Sequence, residues 1–88
     1  MTEPITVRRK RLLHRSRYRG CLEADLLIGR FAERYLEGFD SGKLDLYEAL
    51  IEESDQDLLA WIFGRAVVPE RHRHELFTLL QQFGAGQS

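Results

Sequence analysis

The chain has a single cysteine, Cys21, two prolines, and no apolar run that approaches membrane length. One cysteine permits no internal disulfide, which agrees with a reducing compartment. With few prolines, 43% hydrophobic and 31% charged residues, the composition excludes a disordered or collagen-like chain. A membrane helix needs roughly 20 apolar residues, so no membrane insertion is expected. The opening "MTEPITVRRKRLLHRSRYRG" lacks a hydrophobic signal core, which argues against secretion. An Arg-rich leader raises a mitochondrial transit peptide, but this one runs straight into the first helical segment and leaves nothing to remove. The expected location is a bacterial cytoplasm. Eighty-eight residues make one domain, 1–88. It can bury about 60–70% of its unfolded surface, too little for a deep catalytic cleft.

Other absences narrow the chemistry. No segment alternates as a half-buried strand, and "AVVP" is too short to pair. No glycine-rich phosphate loop occurs, so no dinucleotide is expected to be held tightly by this chain. His14 stands alone. His72 and His74 are two apart, a spacing that puts them on different helix faces, whereas helical metal pairs step by three or four. Surface histidines are the expectation, with no metal site. Cys21 sits among arginines that would lower a thiol pKa, but no histidine or second cysteine stands at a useful spacing. No catalytic residue is assigned, and no enzyme is expected.

What is present is helical. Residues 5–18 carry Ile5, Leu12 and Leu13. Residues 22–38 carry an apolar stripe of Ala24, Ile28, Phe31, Ala32 and Tyr35 that continues to Phe39. Gly29 interrupts it at a cost of about 1 kcal/mol relative to alanine; close backbone packing or a merely weakened helix are the two explanations. "GFDSGK" is turn chemistry. Leu46, Tyr47, Leu50 and Ile51 mark a third helix over 43–53. Ser54 or Asp55 caps a fourth over 56–63, "QDLLAWIF", apolar nearly all round and so expected at the centre, with Gly64 as its C-cap. The fifth is expected to begin near Glu70, carry Leu76, Phe77, Leu80 and Phe83, and end at Gly84. The expectation is an all-α five-helix bundle, ordered over about 5–83, with 84–88 a flexible tail.

Net charge is −1, unevenly distributed. Residues 1–19 hold seven of 13 basic residues, and 20–57 hold 11 of 14 acids. Arg8, Arg11 and Arg15 share a helix face. That basic face suggests a small nucleic-acid-binding regulator, although the acidic remainder repels phosphate and no reader motif follows. A basic face meeting an acidic protein reads equally well. An antitoxin-like or membrane-associated interaction module is a third reading. The stretch "RYRGCLEAD", residues 17–25, joins the first two helices. Gly20 readily takes the left-handed conformation that ends a helix. Arg19 then suits the C-terminus of the first helix, and Glu23 and Asp25 suit the first turn of the second. These dipole roles explain every sign, but not why both signs project at one corner.

"RGCLE" fits an Arg-Gly-x-x-Glu motif. It is followed by "AD", the apolar helix "LLIGRFAERYL", and then "LIEESDQDLLAWIFGRAVVP" with its acidic turn and Trp-Ile pair. Together, over roughly residues 8–83, these resemble the FAD assembly factor of succinate dehydrogenase, the flavinylation factor of bacteria and mitochondria. The resemblance implies a five-helix bundle that binds the flavoprotein subunit of succinate dehydrogenase, and in some bacteria of fumarate reductase. It also implies help in attaching FAD covalently to a histidine of that client. The implied contact surface maps onto Arg19, Gly20 and Glu23, with Asp25 as the acid that commonly follows; the basic face of Arg8, Arg11 and Arg15, read from its spacing alone, is expected to bind a partner too. Cys21 stands where Met or Thr is common, and Gln56 where proline is frequent; neither touches the charged pair.

Overall fold

The computed structural model describes residues 3–87. Five α-helices are found among them, joined by short turns: α1 (Ile5–Arg17), α2 (Leu22–Tyr35), α3 (Ser41–Ile51), α4 (Asp55–Ile62) and α5 (Glu75–Gln87). Single 3₁₀ turns follow α2 (Leu36–Gly38) and precede α5 (Glu70–His72). The expected all-α bundle is therefore present. None of its helices is long and apolar enough to cross a membrane.

Local chemistry sets most boundaries. The Asp40 carboxylate accepts from the Lys43 backbone N–H at 2.9 Å, so α3 starts two residues earlier than its apolar pattern suggests. Ser54 caps α4 by accepting from the Asp57 N–H at 3.1 Å. Gly64, with φ +72°, ends α4. There the Arg65 N–H bonds the Ala60 carbonyl at 2.7 Å and the Gly64 N–H bonds that of Trp61 at 3.3 Å, a Schellman arrangement.

Three expectations are corrected. First, α5 does not begin near Glu70. Residues 70–72 form a separate 3₁₀ turn, and His74 caps the helix, its Nδ1 accepting from the Phe77 N–H at 3.2 Å. Second, α5 does not stop at Gly84 but continues to Gln87; Ser88, the last residue of the expected tail, lies outside the described residues. Gly84 is buried because α4 packs there: a Cβ would stand 2.7 Å from Ile62 Cγ2. Third, the centre belongs to α2, not α4. The Phe31 ring stacks with Tyr47 of α3 at 5.9 Å, meets Phe83 of α5 edge-on at 5.7 Å, and lies 6.2 Å from Phe39. Trp61 of α4 is buried, but on the flank, its ring 5.5 Å from that of His72.

Gly29 resolves in favour of close packing. A Cβ there would lie 3.4 Å from Arg17 Cγ and 3.6 Å from the Ser16 carbonyl oxygen, so α1 crosses α2 at this glycine. Ser16 is itself fully buried. Its hydroxyl donates to the Leu12 carbonyl at 2.7 Å, which leaves the Tyr47 hydroxyl to donate to Ser16 Oγ at 2.6 Å. This buried, satisfied chain ties α1 to α3, and burial pushes the Tyr47 phenol pKa upward.

The two glycines near the end of α5 make a paired test. Gly84→Ala gains about 1 kcal/mol of helix propensity but drives a methyl into a β-branched side chain, an overpacking cost of about 1–3 kcal/mol. Gly86→Ala meets nothing within 4 Å. Thermal melts should show Gly84→Ala less stable than wild type and Gly86→Ala equal or more stable. The reverse order would remove the α4–α5 contact at Ile62.

Candidate functional site

The corner between α1 and α2 is organised by Arg19. Gly20, with φ +93°, turns the chain there. The Arg19 backbone N–H donates to Asp25 Oδ1 at 2.6 Å, pinning the first turn of α2. The side chain points inward and only 8% of it is exposed. Its Nη1 donates to the Ile51 carbonyl and its Nη2 to the Glu53 carbonyl, each at 2.8 Å, and its Nε pairs with Asp55 Oδ1 at 2.5 Å. Ile51 is the last residue of α3 and Asp55 the first of α4. One planar guanidinium thus satisfies carbonyls at the negative end of α3 and a carboxylate at the start of α4.

The α3–α4 turn is held from its other side as well. Glu53 Oε2 accepts from Arg71 Nη2 at 2.6 Å and from His72 Nε2 at 2.7 Å. These bonds, His72's first, hold the Glu53 carboxyl below its ordinary range. The expectation of surface histidines therefore fails for His72, whose side chain is 3% exposed, and for His74, a half-buried helix cap; only His14 is exposed. Cys21 is half-buried against the core. Among the described residues no group of three or more His, Cys, Asp and Glu converges in a way that could hold a metal.

The basic face of α1 meets acids of α3. Arg8 pairs with Asp45 at 2.7 Å and with Glu48 at 2.9 Å. Arg11 pairs with Glu3 at 2.9 Å and Glu48 at 3.2 Å, and Arg15 stands 3.9 Å from Glu48. The Arg11 and Arg8 hydrogen bonds lower the Glu48 pKa. The shared face of Arg8, Arg11 and Arg15 is thus used inside the molecule, which takes away the free basic surface on which the nucleic-acid reading rested.

The expected site residues therefore divide. Arg19 and Asp25 build the corner from within, and Arg8, Arg11 and Arg15 lean on α3. Gly20 and Glu23 are exposed. Around them stand large apolar side chains that the sequence reading did not single out: Tyr18 at 70% exposure, Leu22 at 75% and Leu26 at 47%. Their signal was available, because Leu22 and Leu26 are spaced i, i+4 on the flank of Glu23 and lie off the apolar stripe of α2.

The fold and this corner define a class: a small all-α scaffold whose arginines are mostly engaged internally and whose outward corner is apolar around one carboxylate. Residues 10–84 match the family described as flavinator of succinate dehydrogenase, and the chain belongs to that family. It is 52% identical over 84 residues to succinate dehydrogenase assembly factor 2, mitochondrial, of Debaryomyces hansenii, covering 91% of this chain and 59% of that protein. The proteins of the same name from Drosophila grimshawi and Candida glabrata are each 39% identical, over 91% and 94% of this chain and 56% and 57% of their own lengths. The chain thus spans less than two thirds of each of these relatives. Their names place them in mitochondria, in yeasts and a fly, and this overturns the expectation of a bacterial cytoplasm.

Two measurements test the corner. Arg19→Ala leaves two carbonyls and Asp55 without their partner, and losing one side of a buried pair costs about 3–5 kcal/mol. Urea unfolding should show a loss of that order, with Arg19→Lys recovering only part of it because an ammonium cannot reproduce the fork. A near-normal midpoint for Arg19→Ala would refute the inward role.

Stability should also fall in two stages as pH is lowered. Desolvation, then the neighbouring His72, depresses the His74 pKa from 6.5. Below 6.5 the unfolded chain takes up a proton that the fold resists, so stability present above that value is lost as pH falls through the folded pKa. Glu48 and Glu53, held below 4.5, contribute stability that is lost at lower pH still. Denaturant midpoints measured against pH should show both stages, and His74→Asn, which can cap without titrating, should remove the first.

Proposed function

We propose that this chain is an assembly factor that binds the flavoprotein subunit of succinate dehydrogenase and promotes covalent attachment of FAD to it. The observation that carries this reading is the exposed Glu23, set among Tyr18, Leu22 and Leu26 on a corner braced from behind by Arg19. A carboxylate on an apolar surface is poorly served by its own protein and well served by a partner that brings a donor and excludes water. Membership of the flavinator family and the names of the relatives point to succinate dehydrogenase assembly, which supports the choice of its flavoprotein as client. The flavoprotein of fumarate reductase belongs to the same proposal as a second client.

On this reading the chain is not an enzyme and holds no FAD tightly. The flavin and the client histidine supply the bond-forming chemistry. The factor binds the client's competent arrangement better than the others and so shifts its population. Glu23 and the apolar residues touch the client. Arg19 and Asp25 are positioning residues that fix the direction in which α2 presents them.

Glu23→Ala separates this role from helix capping. As a first-turn carboxylate Glu23 contributes about 0.3–1 kcal/mol to the fold. As half of a charged contact desolvated by the client, its loss costs about 2–5 kcal/mol of binding. The variant should melt close to wild type, while covalent flavin in the succinate dehydrogenase flavoprotein is lost in cells lacking the wild-type factor. Normal flavinylation by a folded Glu23→Ala protein would reduce the residue to a dipole partner and remove the main support for the reading.

A further inference from the structure

The turn between α3 and α4 gives Arg19 its acceptors, and the side chains of that turn do not pack it in place. None of Glu52, Glu53 and Ser54 is buried. On one side the turn borders an open hollow of about 330 Å³, lined also by Arg15, Tyr18 and Arg19. Polar tethers set its position instead. Arg19 Nη2 holds the Glu53 carbonyl at 2.8 Å from the corner side, and His72 Nε2 holds the Glu53 carboxylate at 2.7 Å from the α5 side. Arg71 joins the second tether, but its side chain is 62% exposed and such pairs are weak.

Packing alone does not account for a histidine at position 72. A carboxylate only accepts, so Nε2 carries the hydrogen of the bond to Glu53. The other ring nitrogen, Nδ1, is buried and has no hydrogen-bond partner among the described residues. Leaving a buried polar atom unsatisfied costs stability. A leucine would pack on Trp61, whose ring centroid lies 5.5 Å away, without that penalty. What the imidazole adds is a donor for Glu53, and through Glu53 a hold on the turn that Arg19 grips from the far side.

We propose that His72 and Glu53 are further positioning residues for client binding: they fix the acceptors of Arg19, and through Arg19 the direction in which α2 presents Leu22, Glu23 and Leu26. This inference rests on the function proposed above. With the tether intact, the corner is held in the arrangement the client binds. Without the donor at position 72, the turn is free on the side of the hollow, Arg19 loses a fixed set of acceptors, and the corner samples other directions. A corner in its competent arrangement only about a tenth of the time binds about tenfold more weakly. The segment ahead of α5 thereby acts on the corner from the opposite side of the α3–α4 turn.

The test measures the full chain and its variants, alone and against purified apo-flavoprotein subunit. His72→Leu keeps an apolar side chain on Trp61 and removes only the donor, so it should melt close to wild type. In the free chain, hydrogen exchange at Arg19 Nε–H should quicken about tenfold relative to the Phe31 backbone N–H, and Kd for the flavoprotein should rise about tenfold. His72→Gln, whose amide nitrogen stands near the place of Nε2, should restore both. Glu53→Ala removes the same bond from the side of the turn and should reproduce both losses, which carries the test if His72→Leu fails to fold. If folded His72→Leu and Glu53→Ala bind like wild type while Glu23→Ala is weakened, the tether is structural only and the proposed function stands. Weakened binding with Arg19 Nε–H still protected, or no recovery in His72→Gln, also overturns the positioning role. If the wild-type chain shows no binding to the flavoprotein, the proposed function and the positioning role fall together.

Discussion

The guanidinium of Arg19 is the interaction on which the arrangement of this helical bundle turns. It reaches across 32 to 36 residues of sequence to the end of α3, the following turn and the start of α4. Helix ends leave carbonyls unsatisfied, and in a bundle formed by 88 residues little buried apolar area is available to compensate for such defects. One side chain that satisfies two carbonyls and a carboxylate lets two helices meet almost directly. The same residue's backbone N–H holds Asp25, so the α1–α2 corner and the α3–α4 turn form one braced unit. What lies on the outside of the corner, Gly20 and Glu23 with their apolar neighbours, is presented by that brace.

Charge segregation along the chain becomes charge matching in space. The basic first helix and the acidic middle read as two poles in sequence, yet Arg8 and Arg11 lie on Glu48 of α3, with Arg15 close by. Exposed ion pairs of this kind are individually weak; here Glu48 is shared among three guanidiniums. The network orients α1 over α3.

An apolar corner is costly to leave in water. Tyr18, Leu22 and Leu26 are too exposed to stabilise the fold, and beside Glu23 they form the surface on which the proposed client contact rests. The relatives' names point to succinate dehydrogenase assembly, and the burial of Arg19 shows why only part of the Arg-Gly-x-x-Glu motif faces outward.

Features that depend on neighbours in sequence were legible in the sequence. Five helices follow from the period of the apolar residues, the break at Gly20 from its tolerance of positive φ, and the ends of α4 from Ser54 and Gly64. Each of these is decided within a single helical turn. Features that depend on what a side chain meets were decided by tertiary structure alone. Arg19 turns inward because the orphan carbonyls of α3 arrive beside it, and Gly84 continues a helix because Ile62 occupies the space where a side chain would sit. His72 is buried because Glu53 and Trp61 close over it, and α2 is central because its aromatic stripe meets rings from α3 and α5. A one-dimensional pattern fixes which residues can form a helix and which face is apolar. It does not contain the distances between helices, and those distances determine whether an arginine is a contact for a partner or a brace for the fold.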